Sequence, residues 1–427
     1  MRSPVVVGVK RAVAERLGWV SAEVSVDDML TASEAGQLHF MMANATQSDS
    51  GASAYLGFLY AFAGHPDVLT AAHLRQPDVR DKIERILGTV GRTAGSSGFL
   101  KDLFLGEYDA YDAMVNYEST MIETNQALLA SGRDPLYIVY LVHGTAIADS
   151  PFAYIDKDDA KKEATFQGLQ RHLLSDEVQR ELLRRGRRAG LGINPHPTTI
   201  DPAVFNPDWG IDTTRILTPV KIPDPAVVRE ALNLYQTAFR KPSFTVFALD
   251  FSGSMDDSDG EDELKAAMRL LLDQETAAQY LLQASPDDVT VVILFNDGLV
   301  SEWTLVGNDP AQSLGLADQI EQVQADGGTD IYTPVIHGLE LMQQRGTDGY
   351  FPSIVLMTDG QSRDGKKFKD LEAYVAASGM TQVPVFAITF GKASQEQLDE
   401  IAVLSSGAVF DGRGDLAGAF RAVRGYT

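Results

Sequence analysis

From residue 243 onward the chain alternates between two kinds of stretch. FTVFALD (244–250), VTVVILF (289–295), SIVLMTD (353–359) and VPVFAIT (383–389) are short, unbroken apolar runs rich in Val, Ile and Phe, the pattern of strands buried on both faces. Between them, apolar positions recur at helical spacing, predicting helices around 261–284, 310–322, 334–345, 366–378, 394–405 and 415–424. Alternation of this kind predicts an α/β fold, a doubly wound and mainly parallel sheet with flanking helices. In such sheets a ligand site lies beyond the carboxyl ends of the strands.

The pattern before residue 243 is less regular. Eight of the 18 prolines fall between Pro195 and Pro242; proline fixes φ and removes a donor, so this stretch reads as an extended crossing between two folded units. Within it DPAVVREALNLYQTAF predicts a helix, with Asp224 as N-cap and Pro225 at the first helical position. The expected organisation is an N-terminal domain over 1–195, a linker with a connecting helix over 196–240, and a C-terminal domain over 241–427. In the first half, VSVDDMLTASEAG predicts a capped helix, and NATQSDSGASAYLGFLYAFAG (44–64) a polar loop running into a long apolar helix. Ser48, Ser50 and Gly51 stand where a helix start exposes N–H groups, a position that suits an oxyanion but is better read from the residues alone as a plain helix cap.

Composition narrows the function classes. The chain has 427 residues and a net charge of -23, which argues against nucleic acid and anionic membrane surfaces as partners. It contains no cysteine, which removes disulfides, thiolate zinc sites and cysteine nucleophiles. No stretch reaches the roughly 18 apolar residues of a membrane helix, and MRSPVVVGVK is too short in apolar residues for a signal-peptide core.

ALDFSGSMDD (248–257) sets Asp250, Ser252 and Ser254 on alternate positions at the end of a predicted strand. Asp359 closes another, and DGGTDIYTP (326–334) offers Thr329 on a Gly-rich loop before a helix. Five oxygen side chains thus converge on one sheet edge, a number and hardness that suit Mg2+, or Ca2+ or Mn2+ with the same set. Alone, Asp-x-Ser-x-Ser is better read as a helix cap with turn serines; Thr329 and Asp359 in register reverse that preference. Asp250-x-Ser252-x-Ser254, Gly327-Gly328-Thr329-Asp330 and Thr358-Asp359-Gly360 resemble, in order and spacing, the metal-ion-dependent adhesion site of von Willebrand factor A domains, and the likeness runs over roughly 240–427. It implies that Ser252 and Ser254 touch the metal directly, that Thr329 binds directly or through water, and that Asp250 and Asp359 act largely through water. The remaining position is implied to go to a Glu or Asp of a protein partner.

Other motifs dissolve on inspection. GQSRDGKK (360–367) has the Gly-x4-Gly-Lys of a phosphate loop, but Lys367 stands where a nucleotide-bound magnesium needs Ser or Thr. MDDSDGEDE (255–263) fails as a calcium loop, because aligning Gly260 with the loop glycine puts Met255 and Ala266 at the terminal ligand positions. The Arg-Gly-Asp of GRGD (412–415) reads as a helix start, with Asp415 as N-cap. The seven histidines form no zinc pair, and the chain presents neither a catalytic triad nor a paired-acid motif, so a non-enzymatic role is expected.

A second resemblance covers residues 1–195. SPVVVGVKRAVAERLGW, SDSGASA, GSSGFL (95–100), NYESTMIETN (116–125), LYIVYLVHGTAIADSPFAYI (136–155) and FQGLQRHLLSDEVQRELLRRG (166–186) are similar, in order, to landmarks of bacterial extracellular solute-binding proteins related to molybdate receptors. The likeness implies a type II periplasmic-binding-protein-like α/β domain, with Ser48, Ser50, Ser96, Ser97, Tyr117, Glu118 and Thr145 facing a small solute or oxyanion. Two features depart from that family: Val142 and His143 replace its usual Lys-Glu, and the first landmark comes at the start of the chain, which implies an incomplete first lobe. The combination of the two domain types implies an extracytoplasmic, cell-envelope protein. Two functions follow as expectations: metal-dependent capture of an acidic residue of a protein partner, or solute reception with the metal domain as coupling module. Phe166, Leu169, Leu173, Leu174, Val178, Leu182 and Leu183 form an apolar helical stripe that is expected to pack against its own domain, the 225–240 helix or a second copy.

Overall fold

The computed structural model describes residues 2–189, 200–215, 217, 219–257, 260–359, 361–363, 365–389, 395–413 and 416–425. Pro195, Gly360 and the expected cap Asp415 lie outside these residues. The chain divides into two compact units, Met1–Ala231 and Leu232–Thr427.

The first unit holds strands β1 (Arg2–Lys10), β2 (Phe40–Ala43), β3 (Arg92–Ala94), β4 (Ala113–Tyr117), β5 (Leu136–Val139) and β6 (Ile147–Asp149). Their order is β3-β2-β4-β1-β5, with β6 paired to the start of β1. β1 runs antiparallel to β4, β5 and β6, while β2 runs parallel to β3 and β4. Val5, Val6, Val7 and Val9 are all buried, as a central strand covered on both faces requires. Helices Asp49–Phe62, Ser97–Gly106 and Glu118–Ala130 supply much of the cover, and Pro77–Gly88 packs on the first of them.

The unit extends past residue 195. Val204, Phe205, Trp209 and Ile211 are buried, Arg11 Nη1 donates to the Asp208 carbonyl at 2.7 Å, and the Tyr55 hydroxyl donates to the Ala231 carbonyl at 2.9 Å. The described part of the expected linker is therefore in large part packed structure: its prolines fix an irregular path that buries Val204, Phe205, Trp209, Ile211 and Leu217 and leaves Ile222 exposed. The unit boundary falls inside the helix Pro225–Leu234, which Asp224 caps by accepting from the Ala226 N–H at 2.9 Å.

The apolar stripe is covered only in part within the chain. The helix Ala160–Leu173 fully buries no side chain; Leu169, Leu173 and Leu174 are 46%, 37% and 63% exposed. Phe166 stacks on Phe152 at 4.6 Å, and Leu183 alone in the following helix, Asp176–Arg184, is buried. Helical spacing selects which residues share a face, whereas coverage depends on what lies opposite.

The second unit is a six-stranded sheet of β7 (Ser243–Asp250), β8 (Val289–Phe295), β9 (Leu299–Val306), β10 (Phe351–Thr358), β11 (Val385–Thr389) and β12 (Ala408–Asp411), in the order β12-β11-β10-β7-β8-β9. All neighbours are parallel except β9, which returns antiparallel along β8. Alternate residues feed opposite layers: Phe247 and Leu249 join Leu264, Met268 and Phe420, while Val246 and Ala248 join Val335, Leu339 and Leu398. The expected 261–284 helix is two helices, Gly260–Leu272 and Gln274–Gln279, because the Asp273 carboxylate caps the second by accepting from Glu275 and Thr276 N–H.

Candidate metal centre

β7 and β10 are paired up to Leu249 and Met357, so both strands end at one level, one on Asp250 and the other on Thr358. The chain then turns at the carboxyl edge of the sheet. Asp250, Ser252, Thr329 and Asp359 are buried, with Asp250 only 1% exposed; Ser254 is exposed.

The hydroxyls and carboxylates form a connected set. Ser252 Oγ lies 3.2 Å from Ser254 Oγ, and Ser254 Oγ donates to Asp359 Oδ1 at 2.8 Å. Asp250 Oδ1 accepts the Ser252 N–H at 2.8 Å, and its Oδ2 accepts the Thr358 hydroxyl at 2.5 Å. Thr329 joins through its loop: Gly253 N–H donates to the Gly327 carbonyl at 3.1 Å, Asp326 N–H to Phe251 at 2.9 Å and Asp330 N–H to Asn296 at 2.7 Å. Those three bonds tie the Thr329 loop to the ends of β7 and β8.

The donor set fits a hard divalent cation. Oxygens sharing an edge of an Mg2+ octahedron stand about 3 Å apart when metal–oxygen distances are about 2.1 Å, and the Ser252–Ser254 and Ser254–Asp359 separations bracket that value. Burial pushes the Asp250 carboxyl up to about 6, against the hydrogen bonds from Thr358 and Ser252, with the Asp359 charge adding to the rise. A cation beside it acts in the opposite direction. Because both Asp250 oxygens already accept protein hydrogen bonds, its part is to hold the serine loop and neutralise charge. Among the described residues no group of three or more His, Asp or Glu side chains is placed to hold a metal; this set is built from hydroxyls and two carboxylates.

Several residues beyond the five candidate ligands take part in the site. Thr358 supports Asp250 from the neighbouring strand. Asp330 accepts Tyr332 and Thr333 N–H at 3.0 and 3.1 Å, starting the helix Tyr332–Arg345; Asp-x-x-Thr immediately before a helical pattern was the available clue. Asn296, through its carbonyl and its side-chain amide, and Gln397, through its side-chain amide, bond main-chain atoms of distant loops, for which sequence offers no clue.

The seven candidates in the first unit part company. Ser97 and Tyr117 line a cavity of about 640 Å³, together with Arg2, Asp49, Arg187 and Lys221. Ser48, Ser50 and Ser97 form a hydroxyl chain, 3.0 Å from Ser48 to Ser50 and 2.8 Å from Ser97 to Ser50. Ser96 caps the Ser97–Gly106 helix through the Phe99 N–H. Glu118 and Thr145 do not face the cavity as ligand-contacting groups. Glu118 is fully buried, bidentate to Arg188 at 2.8 and 2.7 Å and bonded by the Tyr140 hydroxyl; a buried carboxylate needs such partners. The Thr145 hydroxyl is satisfied by the Leu141 carbonyl at 2.8 Å.

The family model of the von Willebrand factor type A domain matches residues 245–412. No curated protein matches the chain. Similar solved structures include von Willebrand factor type A from Catenulispora acidiphila, at 18% identity over 43% of this chain and 42% of that one, with a TM-score of 0.35. Conserved hypothetical protein BatB from Bacteroides thetaiotaomicron is 16% identical over 42% of this chain and 96% of that one, TM-score 0.30. Proximal thread matrix protein 1 from the mussel byssus, with a zinc occupied MIDAS motif, is 19% identical over 43% and 47%, TM-score 0.32. The chain thus spans less than half the length of the first of these structures. The family match leaves residues 1–244 outside it. Within this chain, residues 245–412 are a von Willebrand factor type A domain.

Proposed function

We propose that the second unit is a non-enzymatic binding module that captures an acidic residue of a protein partner through a divalent cation, Mg2+ or alternatively Ca2+ or Mn2+. The observation that carries this reading is the oxygen cluster of Ser252, Ser254 and Asp359 at the carboxyl edge of the sheet, with Asp250 beneath it. Ser252, Ser254 and Thr329 would supply neutral oxygens and Asp250 and Asp359 the balancing charge; bound there, the cation supplies an electrophilic position for a carboxylate. Neutral hydroxyls preserve that electrophilicity, since two carboxylates already offset a divalent charge. An extracytoplasmic, cell-envelope setting fits such capture. Among the described residues no helix is long and apolar enough to cross a membrane.

Calorimetric titration with Mg2+ and Mn2+ tests the reading. Saturable uptake that Asp250→Ala abolishes while the far-UV spectrum persists supports it, and equal uptake by wild type and Asp250→Ala refutes it. A pull-down from envelope extracts in Mg2+ against EDTA then seeks the partner.

A second reading, solute reception by the first unit with the metal domain as coupling module, is favoured by one observation. The Ser97 and Tyr117 cavity also carries Arg2, Arg187 and Lys221, beside Asp49, Glu123 and Asp149, with Arg187 paired to Glu123; its cations would give an oxyanion partners on an otherwise acidic chain. Molybdate, tungstate or phosphate raising the melting temperature, by mass action on the native state, supports it; a flat response removes it for this chain.

A further inference from the structure

The loop that follows β10 reads in sequence as a failed phosphate loop, GQSRDGKK, and the structure gives its parts another use. Arg363 N–H donates to the Thr329 carbonyl at 3.2 Å. Lys366 N–H donates to Asp330 Oδ2 at 3.1 Å, and Ser362 Oγ accepts the Ile331 N–H at 3.3 Å. From the other side, the Gln397 side-chain amide accepts the Ser362 N–H at 3.0 Å and donates to the Ser362 carbonyl at 3.1 Å. Gly365 is required here: its φ is +60°, and a Cβ would stand 1.7 Å from Asp330 Oδ2. The strap is therefore stitched to the loop that carries Thr329.

This stitching uses main-chain atoms of Arg363 and Lys366 and leaves their side chains for the surface. Arg363, Lys366, Lys367 and Lys369 are all exposed, and among the described residues no ion pair engages Arg363 or Lys366. Lys367 Nζ donates to the Arg363 carbonyl at 2.8 Å, closing the strap on itself. The loops on the other side of the same edge carry exposed Asp256, Asp297 and Asp326. Among the described residues the rim is thus split by sign, with cationic side chains on the strap of a chain whose net charge is -23.

We propose that the partner segment seated at this site is acidic beyond its metal-binding residue: a Glu or Asp flanked by at least one further carboxylate, which lies over Arg363 and Lys366. The proposal rests on the metal reading above and specifies the partner. Charge complementarity supports it. A basic or neutral segment gains nothing from the strap, whereas an acidic one meets cationic side chains whose main chain is anchored beside Thr329 by the hydrogen bonds just described.

The test uses the full chain and three fluorescent ten-residue Gly/Ser peptides with one central Glu, flanked two positions away on each side by Asp, Ser or Lys. Binding is followed by anisotropy in Mn2+ and in EDTA at low salt, with Mn2+ uptake measured in parallel by calorimetry. The Asp-flanked peptide is expected to bind about three- to tenfold tighter than the Ser-flanked one, the scale of one or two exposed charge pairs, with the gap narrowing at 0.5 M salt. Arg363→Gln with Lys366→Gln keeps both main-chain donors, and is expected to erase that gap while leaving Mn2+ uptake unchanged. Normal Mn2+ uptake with no preference among the peptides, or a preference that survives the double substitution, overturns this inference alone. Absence of Mn2+ uptake by the unaltered chain overturns the metal reading and this inference with it.

Discussion

Asp250 concentrates the chemistry of the site in one residue. Its carboxyl is buried and raised to about 6 in the folded state, above the roughly 3.9 of an unfolded aspartate. The raised value means that the metal-free fold binds this proton more tightly than the unfolded chain does. Stability from this group is therefore present below about pH 4 and is lost as pH rises through about 6. The full loss approaches about 3 kcal/mol for a shift of this size. In EDTA, wild type is expected to lose stability relative to Asp250→Asn between pH 4 and pH 6.5 and to run parallel to it above; denaturant melts of both proteins across that range check this. Saturating Mg2+ at pH 7 is expected to restore the wild type and not Asp250→Asn. Thr329→Ala is expected to weaken divalent uptake with little change in fold, because Thr329 sits on a loop while the strands carry the core; calorimetry alongside a thermal melt separates the two effects.

At the scale of elements, the entry to the second unit's sheet depends on a buried pair. Arg240, 6% exposed, meets Asp288, 1% exposed, through two bonds of 3.1 and 2.5 Å. Asp288 also accepts the Ser243 N–H at 2.7 Å and the Ser285 N–H at 2.9 Å, joining the start of β7 to the loop before β8. Removing one partner strands a buried charge, so Arg240→Met is expected to cost about 3–5 kcal/mol, read as a shifted urea midpoint with unchanged slope. The helix Ala160–Leu173 is the converse case. Leu173 and Leu174 are substantially exposed, so Leu174→Glu is expected to change stability by no more than about 0.5 kcal/mol; a loss of several kcal/mol would show that the stripe is covered in solution by a second copy.

For the molecule as a whole, the division at Ala231 separates the metal site from the serine-lined cavity. Ligands of the native state stabilise what they bind, by about 2.7 kcal/mol at a hundred times the dissociation constant. Mg2+ is accordingly expected to slow hydrogen exchange in β7, β8 and β10, while the protection of β1 and β4 stays as it is in EDTA. Exchange mass spectrometry reads both units in one experiment, and matched slowing in the two would point to coupling between them.

The alternation of apolar runs and amphipathic stretches was enough to place β7, β8, β10 and β11, because strands buried on both faces need continuous Val, Ile and Phe. It missed β9, whose residues LVSEWTLV are largely exposed; an edge strand has little apolar pattern to read. The oxygen set was legible for a related reason: Asp250, Ser252 and Ser254 are close in sequence, and strand ends on a parallel sheet gather at one edge. What only the tertiary structure decided depends on partners distant along the chain. Glu118 looked like a ligand-facing acid until Arg188 and Tyr140, far from it in sequence, enclosed it. Lys367 already ruled out a phosphate loop in the strap of Arg363 and Lys366, but only the fold shows its main chain bonded to Thr329 and Asp330. Sequence determined most of the elements and the oxygen set at the sheet edge, since both follow from local spacing; three-dimensional packing decided which polar groups are satisfied internally and which still face the solvent, since that depends on what the fold sets opposite them.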